Sequence, residues 1–180
     1  MKLVLFSLVI IGFCVLIRTD DSKHPDDEIV FKKLGSYRVS GSFNVKKTYW
    51  VPRHFKAQWQ YARPICHAYG FDIVSLETLE EYEAVAEMCE KERDLFGSFV
   101  HVGGVAISKR SKTDWYWVSS RQTVSYNMTW QDGQPDNDNE WCLSLQKDGQ
   151  FKFNDISCYG SWEEKFICQK IERIYEELDK

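Results

Sequence analysis

A chain of 180 residues suits one ordinary domain with a short extension. Its 23 Lys and Arg stand against 27 Asp and Glu, a formal net charge of −4 with no basic stripe, which argues against nucleic acid or an anionic membrane surface as partner. With 7 Trp, 9 Tyr and 11 Phe it carries enough ring surface for a substantial core.

Residues 1–19 read as a secretory signal: Lys2, an apolar run over 3–17, then Arg18 and the polar Thr19-Asp20-Asp21-Ser22. The run is shorter than the ~20 residues that cross a bilayer as a helix. No other long apolar run follows, so the expected product is secreted and extracellular, without membrane insertion. The competing reading is an uncleaved anchor, because no small-x-small pair precedes the polar segment. Of the 6 cysteines, Cys14 lies inside the signal. In an oxidising compartment Cys66, Cys89, Cys142, Cys158 and Cys168 then form a disulfide framework with one left over. No CxxC or Cys/His cluster at zinc spacing occurs.

Residues 20–46 are polar, with Gly35, Gly41 and scattered charge, and predict a short N-terminal arm with little to bury. The domain is expected over 47–170. Thr48-Tyr49-Trp50-Val51 predicts a short strand. Trp59, Ala62 and Cys66 fall on one helical face, with Gly70 as the stop. Pro64 inside that stretch predicts a kink or a displaced start. Residues 71–76 make an extended link. Thr78 and Glu81 then form a capping-box signature opening a second helix to about Leu95, with Leu79, Tyr82, Ala86 and Cys89 as its apolar face and Gly97 beyond it.

From Ser98 helical periodicity vanishes. Short strands are expected over 99–105, 115–118, 142–145, 151–154 and 166–170, giving an α+β architecture. The polar loop over 119–140 is too long for a plain connection, and such loops in compact domains are usually functional. Residues 171–180 are a charged tail, expected to add a helix turn or fray.

The chemistry concentrates around that loop. Gln134-Pro135-Asp136 is followed by Glu140 two places before Cys142, and by Asn154-Asp155 ahead of Cys158. Three carboxylates (Asp136, Glu140, Asp155) and two amides (Gln134, Asn154) form an all-oxygen donor set of the kind calcium prefers. A cis bond at Pro135 would place Gln134 and Asp136 on one side of the loop, and cis bonds are almost confined to proline. Calcium takes about 6–8 oxygens, so these five side chains and the Asp155 carbonyl leave room for two vicinal sugar hydroxyls.

Taken in order, these features resemble the C-type lectin-like domain. The match rests on Trp59, Ala62, Cys66 and Gly70, then Gly133-Gln134-Pro135-Asp136, Glu140-Trp141-Cys142, Phe153-Asn154-Asp155, Cys158 and Cys168. The resemblance implies two helices, short antiparallel strands, a long calcium-binding loop and two disulfides, Cys66–Cys168 and Cys142–Cys158. The first would close a loop of about a hundred residues, worth ~4–5 kcal/mol in the chain-entropy model. It also implies one calcium ion held by Gln134, Asp136, Glu140, Asn154 and Asp155, with the same residues contacting the sugar. The order amide-Pro-acid resembles the galactose-type arrangement, so the expected partners are glycans with terminal galactose-type sugars. Small secreted invertebrate lectins of innate recognition are the nearest analogy.

Some features depart from the family pattern. His101-Val102-Gly103-Gly104 stands where the family carries Trp-Ile-Gly-Leu, and the N-terminal cysteine pair of the long form is missing, which implies the short form. Only Asn137-Asp138-Asn139 separate Asp136 from Glu140, where galactose-binding relatives often carry a glycine-rich loop with a stacking tryptophan. Residues 108–112 offer no acidic pair for an auxiliary calcium. A C-type lectin-like domain that binds protein rather than sugar is therefore the alternative.

The remaining residues have weaker claims. Trp115, Trp117, Trp141 and Trp162 are expected in the core, while Trp130 opens the ligand loop. Cys89 is either a buried unpaired thiol or an interchain disulfide making a homodimer. Asn127-Met128-Thr129 is an acceptor for N-linked sugar. No histidine pairs with a Ser or Cys as a nucleophile, and carboxylates committed to calcium are poor general acids, so no enzyme is expected.

Overall fold

A computed structural model describes residues 28–39, 45–108, 111–136 and 139–174. The signal and most of the charged tail lie outside them, as do residues 109–110 of the segment expected to lack an auxiliary calcium. No helix among the described residues is long and apolar enough to cross a membrane.

The elements run β1 (Phe31–Val39), β2 (Val45–Pro52), α1 (Trp59–Ala68), β3 (Asp72–Ile73), α2 (Leu79–Lys91), β4 (Phe99–Ser108), β5 (Ser111–Trp117), β6 (Gln122–Thr123), β7 (Cys142–Gln146), β8 (Lys152–Ile156), β9 (Lys165–Phe166) and β10 (Cys168–Arg173). They form two sheets, β1-β2-β10-β3 and β6-β5-β4-β7-β8, with β9 pairing in parallel against β4. The expected α+β fold is present, and so are both disulfides, Cys66–Cys168 and Cys142–Cys158.

Both helices form where their signals lie. Thr78 caps α2, its side chain accepting from the Glu81 amide as the capping-box signature predicts. The Glu81 carboxylate departs from the simple box. It accepts instead from the Glu77 amide at 2.9 Å, from Tyr49 Oη at 2.7 Å and from Lys47 Nζ at 2.8 Å. Lys47 and Glu81 are both buried, so this is an ion pair inside the core, joining β2 to α2. The helix itself ends at Lys91, and a single 3-10 turn, Arg93–Leu95, completes the stretch expected to be helical. Pro64 sits inside α1, which starts at Trp59. Ala62 and Cys66 give α1 its fully buried face, against Ile73, Phe166 and Cys168.

Two segments differ from expectation. The N-terminal arm predicted over 20–46 contains β1, paired along its length with β2. Its sequence hides the strand because a bulge between Lys33 and Gly35 breaks the alternation, leaving Phe31, Leu34 and Tyr37 as the residues that pack inward. The hairpin is therefore built without a cysteine pair. At the other end, β10 continues through Arg173 into the expected tail, because Ile171, Glu172 and Arg173 pair with Lys47, Lys46 and Val45.

The main core lies between α2 and the longer sheet and includes Tyr82, Val85, Val100, Val102, Trp117, Leu143, Phe151 and Phe153. Cys89 belongs to it. The thiol is fully buried and desolvation pushes its pKa up, so it is not positioned for the interchain disulfide that would make a homodimer. The His101-Val102-Gly103-Gly104 departure also finds a physical reason in β4. A Cβ on Gly103 would lie 2.7 Å from the Val74 carbonyl oxygen, and one on Gly104 would clash with the Leu143 side chain. Leu143 fills from β7 the space that a leucine at position 104 would need.

Candidate metal and ligand site

The site is assembled by one hairpin and one loop. In the β7–β8 pairing, Leu143 faces Asp155 and Ser144 faces Asn154, which fixes both residues relative to Cys142. Glu140 stands two residues before that cysteine. The Cys142–Cys158 bond ties the ends of the hairpin, closing a separation of 16 residues. Phe153 anchors β8 by stacking on Tyr82 with ring centroids 4.6 Å apart, and burial pushes the Tyr82 hydroxyl up to about 12.

The loop is brought down onto this hairpin by backbone bonds. Gln131 N–H donates to the Phe153 carbonyl, and Gln134 N–H to the Gln131 carbonyl. Gly133 turns the chain with φ +85, a region that a side chain would strain. The Gln134–Pro135 bond is cis, as the Pro135 argument anticipated. Asp136 N–H then reaches Asp155 Oδ1 at 3.3 Å.

All five sequence-predicted residues belong to this assembly, in different states. Asp136, Glu140 and Asp155 each offer a carboxylate oxygen, and these oxygens lie within 4.8 Å of one another. Asp155 is fully buried while Asp136 is exposed. Like charges at such spacing repel by on the order of 3 kcal/mol per pair at an effective dielectric of 20, so a cation is the natural complement. Gln134 Oε1 is buried without a hydrogen-bond partner among the described residues, an acceptor left for something else. Asn154 Nδ2 donates to the Asp155 carbonyl at 2.6 Å, which uses one of its two N–H groups. The donor set is entirely oxygen, and with the orphaned Gln134 acceptor it fits a hard divalent cation.

The tryptophans separate by depth. Trp115 and Trp117 are core residues, and Trp141 is half-buried. Trp162, expected in the core, lies at the surface instead: it is 47% exposed and touches Phe99 at a ring-centroid distance of 6.0 Å. Asn127 of the glycosylation signal is exposed. Sequence alone does not single out a groove beside the loop, although Val124, Tyr126, Met128 and Trp130 alternate at the strand period that marks one face.

Comparison with known proteins agrees with this geometry. The family model described as Lectin C-type domain matches residues 55–170. The human protein C-type lectin domain family 4 member C is 27% identical over 120 residues, 65% of this chain and 51% of that one, so the chain spans about half its length. C-type lectin 37Da of Drosophila melanogaster is 27% identical over 133 residues, 69% of each chain. Among solved structures, human lithostathine superposes with a TM-score of 0.56 at 26% identity, covering 75% of this chain and 95% of its own.

Proposed function

The chain belongs to the C-type lectin domain family, and from that premise we propose that it is a secreted, calcium-dependent carbohydrate-binding protein with a galactose-type preference. The observation that carries the reading is the convergence of Asp136, Glu140 and Asp155, with Gln134 Oε1, two residues before Asp136, buried without a partner among the described residues. Gln134, Asp136, Glu140, Asn154 and Asp155 would hold one calcium ion, as members of the family typically do. When bound, that ion offers open coordination positions to two neighbouring sugar hydroxyls.

The chain's own groups supply direction. Asp136 and Glu140 accept from a sugar hydroxyl, while the Gln134 and Asn154 amides donate to one, so two adjacent hydroxyls are distinguished by orientation as well as distance. The order amide at 134, acid at 136 places donor and acceptor in the galactose-type sense, and exchanging them reverses the preferred hydroxyl geometry. Few ligand atoms contact such a site, so a single sugar binds at roughly millimolar Kd, about −4 kcal/mol. Useful avidity then comes from several sites on one glycosylated surface. The role is binding rather than catalysis: carboxylates holding a cation make poor general acids.

The second reading, a protein-binding domain without sugar recognition, is favoured by one observation. Only three residues separate Asp136 from Glu140, and none is a tryptophan to stack on a galactose face. A glycan array probed with calcium and with chelator separates the two. The proposal expects galactose-terminated glycans to be retained in calcium and released by chelator; a blank array in both conditions supports the protein-binding alternative.

A further inference from the structure

Beside the Gln134–Pro135 turn lies a groove of about 500 Å3, lined by Val124, Tyr126, Met128, Trp130 and Pro135 with Asn127 exposed at its edge. Its volume falls within the range of small-molecule sites, ~300–1,000 Å3. Trp115 lines it as well, 2% exposed and 5.4 Å from Trp130 between ring centroids.

Two links place this groove next to the residues of the carboxylate cluster. Pro135 stands between Gln134 and Asp136, so one face of the turn is a wall of the groove. Trp130 forms a parallel bridge to Phe153, the residue immediately before Asn154-Asp155. The same strand therefore positions both places.

The lining is aromatic, aliphatic, thioether and pyrrolidine, with the Asn127 amide at the edge and no charged side chain among the lining residues. A pyranose ring matches that chemistry, because it presents a face of C–H bonds to aromatic rings and a rim of hydroxyls to an amide. We propose that the groove seats the second ring of a glycan whose terminal ring is held at Gln134, Asp136, Glu140, Asn154 and Asp155. The smallest well-bound ligand is then a disaccharide. This rests on the sugar-binding reading above. It also addresses the missing stacking tryptophan: aromatic contact is supplied to the neighbouring ring instead of the terminal one.

The test uses the full chain produced without glycosylation, so that no sugar on Asn127 enters the groove. Methyl β-galactoside and the disaccharide β1,4-galactosyl-glucose are titrated in calcium and followed by ligand NMR. Terminal-ring contacts alone predict equal Kd values; the groove predicts ~10-fold tighter binding of the disaccharide, or 1.4 kcal/mol. Protons of the glucose ring shift upfield in the ring currents of Trp130 and Tyr126. Met128→Ala reduces the preference to about twofold or less and leaves methyl β-galactoside binding unchanged. Equal affinities within about twofold, or glucose protons that do not shift, overturn the proposal. If neither galactoside binds, the pair methyl α-mannoside and α-mannobiose is titrated in the same way. A disaccharide preference there retains the groove and rejects the galactose preference, whereas failure of all four ligands rejects sugar binding and the groove together.

Discussion

The contact between β2 and α2 and the candidate metal site solve the same problem, burying polar groups, in opposite ways. In the first, Lys47 and Glu81 are buried together and satisfied: the lysine reaches Glu81, Glu77 and the Ser75 carbonyl, and Tyr49 adds its hydroxyl. In the second, carboxylates converge on one another and Gln134 Oε1 is buried without a partner among the described residues. A closed network fixes the scaffold. The second set is incomplete, and under the proposed function a cation completes it; burial alone does not separate the two regions, since Asp155 of the site is as deeply buried as Glu81 of the framework.

The sharpest way to break that contrast is to open the closed network. Glu81→Ala leaves the Lys47 ammonium buried without its main partner, and the expected loss is ~3–5 kcal/mol of unfolding free energy. Glu81→Ala should also lower the melting temperature while calcium affinity of the remaining folded protein stays unchanged. A stability within about 1 kcal/mol of wild type would show that water or backbone compensates the lysine.

His101 offers a smaller effect on the same scaffold. It is 1% exposed, and desolvation lowers its pKa from 6.5 to about 4, partly offset by a hydrogen bond with the Ala57 backbone. The neutral ring is thus the native form. Its contribution to stability is complete above pH 6.5 and is lost as pH falls from about 6.5 through about 4, amounting to ~3 kcal/mol for a shift of this size. Denaturant titrations of wild type and His101→Leu across that window isolate the contribution, since the carboxylates are common to both. Parallel curves would contradict it.

The loop side is probed by exchanging donor and acceptor. Gln134→Glu with Asp136→Asn keeps two carbonyl-type oxygens for the cation and reverses the order of amide and acid. The expected outcome is a shift from galactose toward mannose of about 1–2 kcal/mol in relative affinity, with stability unchanged. Unaltered galactose selectivity in the double variant counts against residues 134 and 136 as the selectors.

The two regions were also unequally legible in the sequence. Helical spacing revealed α1 and the Thr78–Glu81 signature revealed α2, because local periodicity and capping act over a few residues. The donor residues were legible as chemistry: five oxygen-bearing side chains gathered beside two cysteines make a hard-cation donor set without nitrogen or sulfur. What was hidden depends on distant partners. β1 looked like an arm because a bulge breaks its alternation and its pairing with β2 is not local. The extension of β10 through Arg173 follows from Lys47, Lys46 and Val45 opposite it, not from its own charged residues. Glu81 looked like a simple helix cap and is a buried ion-pair partner of Lys47, 34 residues away. Trp162 looked like core on residue type alone and lies at the surface.

Under the proposed function, Gln134, Asp136, Glu140, Asn154 and Asp155 form one calcium site on which sugar binding depends. Calorimetric titration of calcium into the chelator-stripped full chain decides this, in parallel for wild type and Asp136→Ala, which alters an exposed loop residue and leaves the core intact. The expected result is one ion per wild-type chain and a rise in melting temperature on saturation, with binding weakened at least ~100-fold in the variant. Undiminished calcium binding by Asp136→Ala, or galactoside binding that persists in chelator, would contradict it.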